Sequence, residues 1–271
     1  MNWFRLLRHD IRSGLLRLRY LCVPLIFGVT CFHGWTQIYG TGYASSWMDY
    51  IMYCFKGIPP ISNIDGFEFP ILWFLVMAGC LYINLDYPLN DLTEAGQQLV
   101  IRSVNKKSWF LSKCVWNFLS CGLYLGIGLL TALGPALLSG GSIYLTNTPE
   151  ITTRVLQVYT EKALAVPQTL AAAVLLPYLT ITAFNLLQMT LCLVVKPIFS
   201  FLICVCLLVI SMFTSSPFVL GNGAMLIRSG ILTEALQAPW TTAFTCLAVI
   251  ACSIVVGIIL FGRMDHLRYE G

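Results

Sequence analysis

The residues able to do chemistry are scattered along the chain. His9, His33 and His266 stand apart, and no H-E-x-x-H pair offers a zinc site. No G-x-S-x-G nucleophile elbow occurs. No G-x-x-x-x-G-K-[ST] phosphate loop occurs either, so ATP binding by this chain is not expected. The 11 cysteines fall mostly in apolar runs, with Cys54 in a loop. They read as small packing residues rather than a disulfide framework. Cys204 and Cys206 are two apart, point to different helix faces and make no metal pair. The chain is therefore expected to carry no catalytic residue, no metal and no cofactor.

Polar residues on an apolar background come next. Tyr178, Thr182 and Asn185 recur at helical spacing, with Gln188 one turn further, and Asn117 and Tyr124 share another run. They suit a path for an amphipathic substrate. They equally suit interhelical hydrogen bonds worth about 0.6 kcal/mol each. Gly122 and Gly126 form a small-xxx-small pair, which predicts close helix packing.

The stretch from Asp86 to Lys113 is the most informative. Asp91 with Glu94 is an acidic variant of the capping box. It predicts a helix from Leu92 to about Ile101, with Leu92, Ala95 and Leu99 along one side. Arg102, Ser103, Lys106 and Lys107 lie in a basic bend, and Ser108 is placed to cap the next helix. Such a capped helix could dock on a cytoplasmic partner, or the loop could simply obey the positive-inside rule.

These residues need elements to hold them, and composition says which. Only 10% of residues are charged, 58% are hydrophobic and the mean hydropathy is +0.79. A soluble domain carries roughly 25% charged residues. Long continuous apolar runs read as membrane helices. Six are expected, near Tyr20–Tyr39, Phe67–Leu85, Cys114–Leu138, Thr169–Val195, Ile198–Leu220 and Trp240–Phe261. Lys196 and Pro197 separate the fourth from the fifth.

Twelve bases (Arg5, Arg8, Arg12, Arg17, Arg19, Arg102, Lys106, Lys107, Lys113, Lys196, Arg263, Arg268) fall on one side, and four (Lys56, Arg154, Lys162, Arg228) on the other. The positive-inside bias makes the first side cytoplasmic, so both ends face the cytoplasm of a multi-pass plasma-membrane protein. These topology signals account for most of the basic residues behind the net charge of +4, so no nucleic-acid partner is implied. The first run is too long for a signal-peptide core and no A-x-A site follows, so it is expected to be retained.

Outside the runs, residues 2–19 read as an interfacial helix. Phe4, Leu7, Ile11, Leu15 and Leu18 form its stripe, flanked by Arg5, Arg8, Arg12 and Arg19. Ser46 can cap a short aromatic helix in the first outward loop, expected to anchor at the interface. Thr148-Pro149-Glu150 opens another in the second loop. The apolar segment Gly221–Pro239 suggests two half-helices dipping into the outer leaflet. The whole, 1–271, reads as one all-α domain: an interfacial helix (1–19), a six-span bundle (20–261) and a cytoplasmic tail (262–271).

The run Glu94-x-Gly96, Leu99, Arg102-Ser103, Lys106-Lys107 and Trp109-Phe110-Leu111-Ser112-Lys113 resembles the membrane-spanning permease subunit of ABC type-2 exporters, particularly of Gram-positive bacteria. The resemblance covers about 20 residues in motif and the whole chain in layout. It departs at Val104-Asn105, where many members carry a Pro and a longer connection. It implies that Asp91–Arg102 is a coupling helix docking on a separate ATPase, which would hold ATP and Mg²⁺, with Lys196 at a smaller second contact. It also implies a second permease chain, identical or related, and an amphipathic substrate such as an antimicrobial peptide, a drug or a lipid-like compound. An accessory or sensor subunit binding an extracellular ligand is the alternative. An intramembrane enzyme is a further one that lacks a nucleophile or metal cluster.

Overall fold

A computed structural model describes residues 7–8, 10–12, 14, 18–61, 67–85, 106–160, 162–232 and 238–263. Among the described residues the chain is helical without strands, apart from one parallel bridge between Ser46 and Ser142. In chain order the helices are α1 (Cys22–Tyr39), α2 (Trp47–Cys54), α3 (Ile71–Asn84), α4 (Lys106–Leu138), α5 (Pro149–Arg154), α6 (Val166–Leu191), α7 (Pro197–Phe213) and α8 (Pro239–Arg263).

Four of them are long and apolar enough to cross a membrane: α1 with its preceding 3-10 turn Leu18–Leu21, α4, α6 and α8. α3 and α7 are apolar but have 14 and 17 residues. At 1.5 Å per residue they measure about 21 and 26 Å, against a hydrocarbon core of about 30 Å.

The boundaries depart from the sequence reading for local reasons. α4 passes through Ser108, so this residue is not its cap. Trp109 and Phe110 are fully buried and lie against Phe261, and this packing carries the helix outward beyond the apolar run. α7 stops at Phe213, just before Ser215-Ser216-Pro217, where the residue preceding Pro disfavours helix. α6 contains a π-helical turn, Ala171–Leu175. Pro177 lacks the N–H that would bond the Ala173 carbonyl, and its ring crowds that carbonyl, so the helix widens there.

α6 is the central helix: of its residues 176–191, twelve are buried. It packs against α8, α4, α7 and α3. The close approaches fall on glycines other than those expected. A Cβ on Gly126 would meet nothing within 4 Å, and one on Gly122 would make ordinary contact with Tyr178. A Cβ on Gly128 would lie 2.5 Å from the Phe27 ring, so α1 and α4 touch there instead.

The loops expected to face outward are joined to one another in a cap at one end of the bundle. α2 is no interfacial anchor: Met48, Tyr50, Ile51, Met52 and Cys54 are all essentially inaccessible. Ser46 caps α2 as expected, and Asp49 completes the capping box. Asp49 also accepts from the Thr148 N–H at 2.9 Å, tying the first loop to the start of α5. Burial pushes its carboxyl up to about 6, against the lowering effect of those two backbone N–H groups. The segment after α7 forms 3-10 turns, Leu220–Ala224 and Leu226–Arg228, rather than half-helices. Gly221 and Gly223 disfavour α-helix in the first of these turns.

Candidate functional site

The expected coupling residues Asp91, Glu94, Gly96, Leu99, Arg102 and Ser103 lie outside the described residues. Lys106 opens α4, Lys107 is exposed beside it, and Lys196 is exposed at the start of α7. What can be built upward from residues is the base of α4, directly after that connection.

There the helical residues 7–14 pack a face that the apolar stripe did not indicate. Asp10 and Gly14 are buried, while Ile11 and Leu18 point outward, where lipid would meet them. Asp10 Oδ1 receives the Lys113 ammonium at 2.6 Å, and both side chains are fully buried. Ser112 donates to Asp10 Oδ2 at 2.5 Å. The Lys113 Nζ also lies 5.1 Å from the Trp109 ring centre, and Trp109 stacks on Phe261 of α8 at 4.7 Å. The amino-terminal helix, α4 and α8 therefore meet at one point. Lys113, counted in the sequence with the topology-setting bases, is an interior cation. Asp10 was missed. Its signal was a lone acid among bases, one turn before the small residue Gly14.

About two turns further along α4 a neutral polar seam crosses the bundle. Asn84 Nδ2 donates to Asn185 Oδ1 at 2.9 Å, and Asn185 Nδ2 donates to the Ile181 carbonyl at 2.9 Å. Ser120 donates to Asn84 Oδ1. That uses the single Ser120 proton, so Tyr20 is the donor in its 2.6 Å contact with Ser120 Oγ. The bonds run in one direction from the turn before α1 through α4 and α3 to α6. Gln188 Nε2 donates to the Leu81 carbonyl at 3.1 Å, leaving its buried Oε1 without a hydrogen-bond partner. Asn117 accepts from Cys121, and Tyr124 donates to the Val76 carbonyl at 2.7 Å.

Of the expected path residues, Asn117, Tyr124, Asn185 and Gln188 are thus buried between helices of this chain. Tyr178 donates to the Phe118 carbonyl at 3.2 Å and lines an apolar cavity of about 340 Å³ beside the π-helical turn of α6. Among the described residues no group of three or more His, Cys, Asp or Glu side chains comes together as metal ligands.

A family model described as "Protein of unknown function (DUF2705)" matches residues 35–267. No curated protein and no solved structure matches the chain.

Proposed function

The chain belongs to the DUF2705 family, and from that premise we propose that it is the permease subunit of an ATP-driven ABC exporter. α3 and α7 complete six crossings of the plasma membrane, with both chain ends in the cytoplasm. A separate ATPase, holding ATP and Mg²⁺, docks on the connection around Glu94 and Leu99, with Lys106, Lys107 and Lys196 facing it. A second permease chain faces the first, and the substrate is amphipathic: an antimicrobial peptide, a drug or a lipid-like compound.

The observation that carries this reading is the junction at Asp10 and Lys113. The connection 86–105 enters α4 two turns before that junction, so a push on it is passed to the amino-terminal helix and, through Trp109 and Phe261, to α8. A second support is the lack of charge in the helix centres. In the described helices long enough to span, the one charged side chain more than two residues from an end is Lys113, two turns into α4 and paired with Asp10, whereas ion-coupled transporters display such groups at mid-membrane. Drive supplied by a partner fits that arrangement.

Co-purification of the tagged chain in mild detergent, with mass spectrometry of its companions, tests the reading. A stoichiometric ATPase is the expected result, and its reproducible absence from folded chain would sink the proposal. Leu99→Asp should then abolish transport-linked stimulation of that ATPase while insertion stays normal. The outward cap favours one second reading, an accessory sensor subunit for an extracellular ligand. That reading predicts ligand binding with no ATPase bound.

A further inference from the structure

Beneath the end of α2, between α1 and the start of α3, lies a cavity of about 650 Å³. Small-molecule sites span about 300–1,000 Å³. Among the described residues its wall carries one cation, Lys56, and one carboxylate, Glu68. Lys56 is half-buried and spends one donor on the Val155 carbonyl at 2.8 Å, which holds its ammonium in place. An ammonium has three donors. Glu68 is exposed on the wall formed by the approach to α3. Burial lowers the Lys56 pKa and the Glu68 charge raises it, yet no ion pair joins the two among the described residues. Opposite charges that sense each other across a cavity without meeting leave room for a ligand between them.

The rest of the wall is fixed. Trp73 is buried and its Nε1 donates to the Ala224 carbonyl at 2.9 Å, so it backs the wall, while the exposed side chains of Phe69 and Ile71 face the space. His33 Nδ1 and the Tyr53 hydroxyl are 2.8 Å apart, and their rings stack at 5.9 Å. A Cβ on Gly34 would lie 2.8 Å from the Tyr53 ring, so this pair is pressed tightly against α1. Gln157, also in the wall, is the one non-glycine described residue with positive φ, at 62°. Such strain persists where surrounding structure enforces it, and it gathers at ligand sites.

We propose that this cavity binds a small zwitterionic amphiphile, its anionic group on Lys56, its ammonium on Glu68 and its apolar part against Phe69 and Ile71. Two sources share that chemistry: an ethanolamine-type lipid head group from the outer leaflet, and a soluble zwitterion such as a short apolar peptide. The outward placement rests on the topology proposed above, whereas binding does not, since it needs neither ATPase nor transport.

The test uses the purified full chain in phosphatidylglycerol nanodiscs, titrated calorimetrically with Leu-Leu, its N-acetyl form and its C-terminal amide. The free dipeptide should bind at least tenfold more tightly than either blocked form. In Lys56→Gln the free and amidated forms should bind equally. In Glu68→Gln the free and acetylated forms should bind equally, with the unfolding temperature unchanged because that carboxylate is exposed. Blocked forms that bind as well as the free one would overturn the proposal, as would a wild-type preference kept by both variants. Replacing a tenth of the lipid with phosphatidylethanolamine separates the sources. Competition, or charge-dependent retention of that lipid, points to the head group, and no competition points to the soluble zwitterion. Failure of the dipeptide to bind, together with no retained phosphatidylethanolamine, overturns the site altogether.

Discussion

Two cations are buried at opposite ends of this bundle, and they are neutralised in different ways. At the base of α4 Lys113 meets a carboxylate, Asp10, at 2.6 Å. In the loop cap at the other end, which the basic residues predict to face outward, Arg228 is 1% exposed and meets no carboxylate among the described residues. Its guanidinium donates instead to the carbonyls of Ser211, Met212 and Thr214 at the end of α7, to Ile58 and Pro59, and to Asn222 Oδ1. The last carbonyls of a helix lack internal partners and carry the negative end of its dipole. Arg228 therefore both caps α7 and ties the first outward loop to the segment after α7. The lesson is one of division. The base is held through a contact between two charged side chains, which a single substitution breaks. The cap is held by backbone carbonyls that stay in place when any one side chain changes.

The largest expected effect tests the contact at the base. Lys113→Met takes the ammonium away from a buried carboxylate and should lose up to about 3–5 kcal/mol of stability. The double variant Asp10→Asn/Lys113→Met should recover most of that, as measured by a double-mutant cycle on unfolding in detergent. Equal losses in single and double variants would remove that contact from the comparison. Arg228→Met should come next. It should lose about 1–3 kcal/mol in all, the penalty of a buried acceptor left unmet, because water can follow into the space the guanidinium vacates and reach the other carbonyls. Arg228→Lys should restore only part, because an ammonium lacks the planar fork. Limited proteolysis of the outward loops should report the Arg228 variants and leave Lys113→Met unaffected.

Asp49 sharpens the contrast through pH. Its carboxyl sits at about 6 in the folded chain, above the ordinary value of about 3.9. Between those values the folded state holds more protons than the unfolded one, so this group's contribution to stability is fully present below about pH 4 and lost as pH rises through 6. Asp49→Asn should flatten the unfolding profile over that window, while also weakening the cap because an amide replaces one acceptor oxygen. The smallest effect belongs to the seam. Asn185→Leu should lose about 0.6–1.7 kcal/mol, the range for hydrogen bonds between membrane helices. A much larger loss would show that the Tyr20-to-Asn185 chain acts as a unit.

Much of the local structure was legible before folding was considered. Ser46 announced the cap of α2, and Asp49 three residues on was its readable partner. Pro149 at the first position of α5 and Lys196-Pro197 before α7 were visible for the same local reasons. The apolar runs located all six described apolar helices, because length and hydropathy are properties of a segment alone. What the sequence could not reveal is which face of each helix looks inward. In water an amphipathic stripe marks that face. In lipid the outside is as apolar as the inside, so the stripe vanishes and packing decides. Asp10 and Lys113 are 103 residues apart, Asn84 and Asn185 101, and Arg228 reaches a carbonyl 170 residues away. No local pattern links such positions. Composition and spacing by themselves determined a helical membrane protein with short loop helices, one opened by the Ser46 cap and one by Pro149. Only the tertiary structure decided that its two interior cations, its neutral seam and its outward cavity exist, because each is made by side chains that meet only when separate helices pack.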